Sequence, residues 1–211
     1  MGNSLSIIER TASVSIYANA FVVGAVLMGF EMLGSRYLFP YFGGGIGAWA
    51  ALISTVLIAL TIGYLAGGAL VDRYPSARVV AVSIGLAAGY LGLIPSTADR
   101  IMSSVLSSMG EGPLGVLTAS AALLLIPLSL LGMLSPVAVR LLVRSADQAG
   151  IVSGLVYSIS TVGNVFGTLV TTFVLIPTIG SRSITYVFAG TLAVCAASLA
   201  LRPVRSKAVA S

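Results

Sequence analysis

The most chemically distinctive residue in this sequence is Glu31, a carboxylic acid inside a long apolar run. Arg36 follows five residues later, and Pro40 and the glycines at 43–45 come next. An ionisable group at membrane depth costs about 2.5–3.5 kcal/mol on insertion scales, so it usually has a partner. A helix that ends near Gly34 would let Glu31 pair with Arg36 or with amides of the glycine turn. This spacing favours a structural role, and it leaves a proton- or cation-binding role open.

A short charged segment, residues 67–73, follows the second apolar run and ends in Asp72 and Arg73. The glycine that opens it, Gly67, allows close helix approach, and the Asp72 carboxylate can cap the next helix or pair with an arginine. We interpret the segment as a conformational or folding clamp. Further along, Pro136 predicts a helix kink, either as a transport hinge or as a feature that only shapes the bundle.

A polar stripe runs along the fifth apolar segment and includes Asn164. Its members recur every three or four residues, which places them on one helical face. Gly163 and Gly167 flank that face, and we expect Gly63 and Gly67 to lie opposite them. Two interpretations remain open: the stripe joins helices through hydrogen bonds, or it lines a cavity for a small solute. The stripe consists of Ser153, Tyr157, Ser160 or Thr161, Asn164, Thr168 and Thr171.

Other kinds of chemistry find little support in the composition. Histidine is absent and Cys195 is the one cysteine, which argues against histidine bases, Cys/His metal sites and internal disulfides. We therefore expect no metal and no cofactor. The net charge of +5 comes from dispersed arginines and lysine, unlike the clustered basic surface of nucleic-acid-binding proteins.

The elements that must position these residues are membrane-spanning helices. Of the 211 residues, 57% are apolar and 8% are charged, whereas soluble domains carry roughly 25% charged residues. A span needs about 20 apolar residues, so six spans fill the chain. Asp99 to about residue 110 has amphipathic spacing that predicts a short interfacial helix. The predicted spans are about 14–34, 47–71, 77–95, 113–143, 150–177 and 183–201, in a single transmembrane domain.

The basic residues predict which side of the membrane each connection occupies. Eight lie at the termini and in the second and fourth connections, and three lie in the remaining connections. The positive-inside rule therefore predicts that both termini are cytoplasmic. The first group is Arg10, Arg73, Arg78, Arg140, Arg144, Arg202, Arg205 and Lys207; the second is Arg36, Arg100 and Arg182.

The order of these landmarks resembles the membrane region of the fused major-facilitator/spermidine-synthase proteins. The resemblance covers about residues 20–195. It rests on Glu31, Arg36, Pro40 to Gly43, Trp49, Gly63-Tyr64, Gly67-Gly68, Asp72-Arg73, Gly132, Pro136, Arg140, Gly154 to Tyr157, Ser160-Thr161, Gly163-Asn164, Gly167, Pro177, Gly180 and Arg182.

The resemblance implies an all-α polytopic fold like one half of a major facilitator transporter, with spans one to three and four to six as inverted repeats. The fused members also carry an aminopropyltransferase domain, which this sequence lacks, so we expect no enzymatic activity. We expect a binding or accessory subunit of a membrane complex in the bacterial inner membrane. The alternative is a half-size transporter of a small solute, polyamine-related by family association, that works as a homodimer. Candidate ligand or partner contacts are Glu31, Arg36, Trp49, Tyr64, Tyr157 and Asn164.

Overall fold

Helices account for nearly all of the chain in the computed structural model, which describes the backbone of residues 2–201 and the side chains of residues 13–201. Arg202, Arg205 and Lys207 of the orientation prediction lie outside the described residues, as does the side chain of Arg10. The helices are α1 (Gly2–Phe42), α2 (Ile46–Arg73), α3 (Ala77–Met109), α4 (Pro113–Gly132), α5 (Leu134–Leu142), α6 (Ala149–Val170), α7 (Ile176–Thr178) and α8 (Ser181–Leu201). A 3₁₀ turn, Ala146–Gln148, precedes α6, and a π segment, Thr171–Leu175, joins α6 to α7.

Six segments of the described chain are long and apolar enough to cross a membrane. Helices α1, α2, α3 and α8 each supply one. The fourth combines α4 and α5, and the fifth runs from the 3₁₀ turn through α7. The predicted all-α, six-span membrane architecture is therefore confirmed. We call the end of the bundle where α1 begins and α8 ends the termini end, and the opposite end the loop end.

Two predicted helix boundaries are wrong. Helix α1 continues through Gly34 to Phe42, and the turn comes only at Gly43, whose φ is +71°. The predicted interfacial helix is also not separate, because α3 is continuous to Met109 with Pro95 inside it. A proline removes a single backbone hydrogen bond and kinks a helix, and membrane helices tolerate that loss when their neighbours pack against it. Pro95 is buried against such neighbours.

The helices pair in a pattern that repeats across the two halves of the chain. The most extensive pairings are α3 with α8, α1 with α6, and α2 with α4. If spans one, two and three are exchanged with spans four, five and six, the α1–α6 pairing becomes the α4–α2 pairing, and the α3–α8 pairing becomes itself. Corresponding spans run in opposite directions, since each half contributes three. The contacts thus have the pattern of two inverted three-helix repeats around a pseudo-two-fold axis.

Polar contacts join the helices at both ends of this bundle. At the loop end, Arg182 of α8 forms a salt bridge with Asp99 of α3, and the Tyr41 hydroxyl donates to the same carboxylate. At the termini end, the Asn19 amide donates to the Ser198 hydroxyl at 3.2 Å. These contacts hold α1, α3 and α8 together.

Candidate functional site

The glycines of α6 bring its backbone against α1. A Cβ atom built on Gly163 would lie 2.1 Å from the carbonyl oxygen of Phe21, and one on Gly167 would lie 1.9 Å from that of Ala25. These distances are too short for any side chain, so only glycine permits the contact. The prediction that the α6 glycines face span two is wrong: the covering helix is α1.

The glycines of α2 make the equivalent contact with the fourth span. A Cβ on Gly63 would lie 2.3 Å from the Ser129 carbonyl oxygen, and one on Gly67 would lie 2.8 Å from the backbone of Met133. Gly63 and Gly67 precede Gly163 and Gly167 by the same 100 positions. Each glycine pair therefore seats the second helix of one repeat on the first helix of the other repeat.

A small cavity lies where these four helices meet, close to the pseudo-two-fold axis; we call it the axis cavity. Its volume is about 30 Å³, roughly the space of one water molecule. Both repeats line it at corresponding positions. Tyr64 of α2 corresponds to Asn164 of α6, and Leu60 of α2 corresponds to Ser160 of α6. The lining residues are Val23, Gly24, Leu27, Leu60, Tyr64, Leu131, Gly132, Leu134, Ser135, Ser160 and Asn164.

Asn164 contributes both to packing and to the axis cavity. With its amide turned so that Nδ2 faces the nearby carbonyls, it donates to the Gly24 oxygen at 2.9 Å and the Ser160 oxygen at 3.3 Å. Gly24 has no room for a side chain, because a Cβ there would lie 2.5 Å from the Ser160 carbonyl oxygen. Asn164 therefore joins α6 to α1 and still borders a space large enough for water, so both interpretations of the stripe keep support.

The remainder of the polar stripe divides between protein and surface. Thr171 is buried against Gly29 of α1, and Thr168 donates to the carbonyl oxygen of Asn164 in its own helix at 2.9 Å. Tyr157, in contrast, is 49% exposed. The stripe is thus covered by α1 near the loop end, at Thr171, and exposed on the surface of the bundle near the termini end, at Tyr157.

Glu31 lies buried in α1, with 6% of its surface exposed, and the pair predicted with Arg36 is not formed. Neither a hydrogen bond nor an ion pair reaches Glu31 from any described residue, and Arg36 is exposed. The reason is geometric: the helix does not end at Gly34, so the two side chains stay five residues apart on one helix. Gly34 instead provides room for Leu52 and Leu124, which approach within 3.4 Å of where its Cβ would be.

The aromatic candidates Tyr64, Tyr157 and Trp49 lie on the open side of the bundle. Tyr64 is 41% exposed and interacts electrostatically with the phenol of Tyr157, and no described residue hydrogen-bonds to either hydroxyl. Trp49 lies in the first turn of α2 with 37% of its surface exposed. We call this surface, made by the outward sides of α2 and α6, the α2–α6 face.

Asp72 makes one of the two contacts that the sequence predicts for it. The Asp72 carboxylate lies 3.5 Å from the Arg140 guanidinium of α5, which is the predicted pairing with an arginine. Arg73 places its guanidinium carbon 5.8 Å from the centroid of the Tyr74 ring. The predicted kink is present, because α4 ends at Gly132, the residue whose carbonyl Pro136 cannot bond, and α5 begins two residues later.

Sequence reasoning missed a wider recess at the loop end, between the first turns of α2 and α4. Its volume is about 440 Å³, and Glu111 is the acidic residue on its wall. The Gly24 and Ser135 walls of the axis cavity were missed as well. The signal available for them was the shared spacing of Val23, Gly24 and Leu27 with Leu131, Gly132 and Ser135.

Within residues 13–201, no cluster of three or more histidine, cysteine, aspartate or glutamate side chains could hold a metal ion. No family model, curated protein or solved structure matches this chain.

Proposed function

We propose that this protein is a non-enzymatic subunit of a membrane complex, in which the α2–α6 face packs against another membrane protein. The observation that carries the proposal is the set of polar side chains on that face without hydrogen-bond partners. Hydrocarbon offers no hydrogen bonds, so polar groups in the membrane are satisfied by protein or by enclosed water. The unpartnered members are Tyr64, Tyr157, Ser158 and Thr161.

The low burial of the fifth span also supports a partner at this face. In its most apolar stretch 17% of the residues are buried within the bundle, compared with 50% in the first, third and fourth spans. Helix α6 packs extensively on α1 along its glycine side, and most of its remaining surface stays uncovered. A partner that covered α6 would bury this span as fully as its neighbours.

We propose further that the chain belongs with the fused major-facilitator/spermidine-synthase membrane regions and adopts the arrangement of one half of a major facilitator transporter. The inverted pairing of the two three-helix units supports this relationship. In such an arrangement α1, α2, α4 and α6 face the second half of the transporter. The proposed setting is the bacterial inner membrane with cytoplasmic termini, on the basis of the arginine distribution.

The second candidate function is a half-size transporter for a small, polyamine-related solute that works as a homodimer. The observation that favours it is the axis cavity, which places Tyr64, Asn164 and Ser160 where the two repeats meet. A single six-helix half cannot alternate access by itself, so this function needs a second copy.

Cross-linking and mass measurement test the proposal together. In a Cys195→Ala background, Tyr157→Cys places a thiol on the α2–α6 face, and Leu86→Cys places one on α3, where Leu86 is 60% exposed. We expect a short bifunctional thiol-and-amine cross-linker in native membranes to join Tyr157→Cys to a protein partner, and Leu86→Cys to give little product. Equal cross-linking at both positions, or none at Tyr157→Cys, would contradict the proposal.

The mass of the detergent-extracted complex then separates the two functions. A particle with about 43 kDa of protein, twice the 21.4 kDa of one chain, supports the homodimeric transporter. A stoichiometric foreign membrane protein supports the accessory subunit. A protein mass of one chain, extracted under conditions that preserve known complexes of the same membrane, would contradict both.

A further inference from the structure

Glu31 is a buried acid for which the bundle supplies no counter-charge. Its side chain is 94% buried, and no hydrogen bond or ion pair from a described residue reaches it. An isolated carboxylate in a low-dielectric interior is so costly that the group binds a proton instead. Burial without a partner therefore favours the neutral carboxyl over the carboxylate.

The surroundings of Glu31 are uncharged and mostly apolar at its own level of the bundle. One turn toward the loop end, Gly34 contacts Leu52 of α2 and Leu124 of α4. One turn toward the termini end, Leu27 lines the axis cavity. Between these levels the buried residues include Val56 of α2 and Leu128 of α4, and Thr55 of α2 is the buried polar residue beside Val56.

The Glu31 carboxyl is not completely enclosed by protein atoms. The described side-chain oxygens that are sealed from any water-sized probe and lack a partner are those of Ser120 and Thr172. The Glu31 oxygens have no partner but are not among the sealed atoms, so they border open space. Glu31 follows Leu27 by four residues and lies on the same face of α1, about one helical pitch of 5.4 Å from the axis cavity.

The axis cavity has the groups that a proton-conducting water needs. Tyr64, Ser135 and Ser160 present hydroxyls that no described residue hydrogen-bonds, beside the Asn164 amide. A buried water requires two to four such partners. We propose that Glu31 is an exchangeable proton-binding site, neutral at rest and connected to the aqueous phase through the axis cavity.

No charged group competes for this role at the depth of Glu31. Helix α4 and the π segment have no titratable side chain, and Arg140 of α5 already pairs with Asp72. In the described chain, Asp72 and Arg73 of α2, Arg78 of α3 and Arg182 of α8 lie at helix ends. Asp99 and Arg100 lie inside α3, where Asp99 bonds to Tyr41 and Arg182, and Tyr41 is ten residues beyond Glu31 along α1. The other titratable groups on the helices packed against α1 are Tyr64, Tyr74, Tyr90, Tyr157, Tyr186 and Cys195.

Infrared difference spectroscopy on the purified full-length protein tests the proposal directly. The carbonyl stretch of a neutral carboxylic acid is separate from that of a carboxylate, and it shifts down when the acid proton is replaced by deuterium. We expect this band at neutral pH in the unmodified chain and in Glu111→Gln, loss of the band in Glu31→Gln, and a downshift in D₂O. Absence of the band, or a band that D₂O leaves unshifted, would overturn the proposal, as would its replacement by a carboxylate band on addition of an alkali cation.

A second variant pair tests the route. Ser135→Leu fills the axis cavity, and Ser96→Leu adds the same side chain on the exposed side of α3. We expect Ser135→Leu to slow the deuterium shift at least tenfold and Ser96→Leu to leave its rate unchanged. Equal rates in both would overturn the proposed route.

Labelling of the unmodified chain avoids dependence on the folding of Glu31→Gln. A lipid-soluble carbodiimide takes the proton of a neutral carboxyl, adds the resulting carboxylate at its central carbon, and rearranges to a stable N-acylurea. We expect peptide mass analysis to find this adduct on Glu31, while a water-soluble carbodiimide with an added amine modifies the exposed Glu111. An unlabelled Glu31 would overturn the proposal. None of these outcomes depends on whether a partner covers the α2–α6 face.

Discussion

At the scale of single residues, the described serine and threonine hydroxyls that donate a hydrogen bond mostly donate it to a carbonyl of their own helix. Thr61 donates to Leu57 at 2.8 Å, and Ser129 donates to Leu125 at 2.7 Å. Such bonds satisfy the hydroxyl without joining two helices. Two threonines differ from this pattern in opposite ways: the Thr172 hydroxyl has no hydrogen-bond partner, and the Thr185 hydroxyl bonds to the Tyr37 phenol as well as to the Ser181 carbonyl oxygen of its own helix.

Replacement of these two threonines by valine should change stability in opposite directions. The Thr172 hydroxyl is sealed and unpartnered, so Thr172→Val removes a desolvated group and should leave stability unchanged or raise it by about 1 kcal/mol. Thr185 shares a 2.9 Å hydrogen bond with the Tyr37 phenol, so Thr185→Val should cost about 1–3 kcal/mol. Denaturant titration in mixed micelles, followed by circular dichroism, measures both. A larger loss at Thr172 than at Thr185 would contradict the assignment.

The sequence identifies which residues are unusual, but it does not identify their partners. Asn164 was selected from its position on a polar stripe, yet its bond to Gly24 depends on a helix pairing that local spacing does not encode. The pair of Glu31 with Arg36 failed for the same reason. It required α1 to end at Gly34, and in the structure that glycine makes room for side chains of α2 and α4.

At the scale of helices, glycines decide how closely the backbones approach. The contacts of α2 with the fourth span and of α6 with α1 each depend on a pair of glycines four residues apart. In a membrane, association depends on van der Waals packing of this kind, because lipid removes the hydrophobic drive between apolar helices. A methyl group at such a contact therefore acts directly on helix pairing.

Adjacent glycines in α2 provide a matched test of this packing. A Cβ on Gly67 would lie 2.8 Å from the Met133 backbone, whereas one on Gly68 would meet nothing within 4 Å. Gly67→Ala should cost about 1–3 kcal/mol through overpacking, and Gly68→Ala should be neutral or stabilising by up to about 1 kcal/mol. The same micellar titration measures the difference. Equal effects in the two variants would show that α2 does not approach the fourth span as closely as described.

Span positions could be predicted from apolar length, whereas helix neighbours could not. The glycine pattern correctly relates α2 to α6 as equivalent elements of the two repeats. It was wrong to infer that equivalent elements touch, since each packs on the first helix of the other repeat. The predicted helix end at Pro95 was wrong, because the loss of one backbone hydrogen bond does not end a helix that is packed against its neighbours at that point.

At the scale of the whole molecule, the inverted repeats and the distribution of arginines act together. The two repeats run in opposite directions across the membrane, so their packing does not favour either orientation of the bundle. The sequence places eight basic residues at the termini end and three at the loop end, which supplies that preference. The described part of the termini end includes the Asp72–Arg140 pair, and the loop end includes the Asp99–Arg182 pair.

Cysteine accessibility measures the orientation of the bundle. Ser76 caps α3 at the termini end, and Glu111 lies in the connection before α4 at the loop end. In a Cys195→Ala background, we expect a membrane-impermeant thiol reagent to modify Glu111→Cys in intact cells and Ser76→Cys only after the membrane is opened. Cys195 is buried in α8, so its removal prevents slow background labelling without touching either end. The opposite labelling pattern would reverse the orientation, and modification of both positions in sealed cells would contradict six crossings. Conversion of Arg73 and Arg78 to glutamine should shift a fraction of molecules toward the reversed pattern, because it removes two of the basic residues from which the cytoplasmic position of the termini end is predicted.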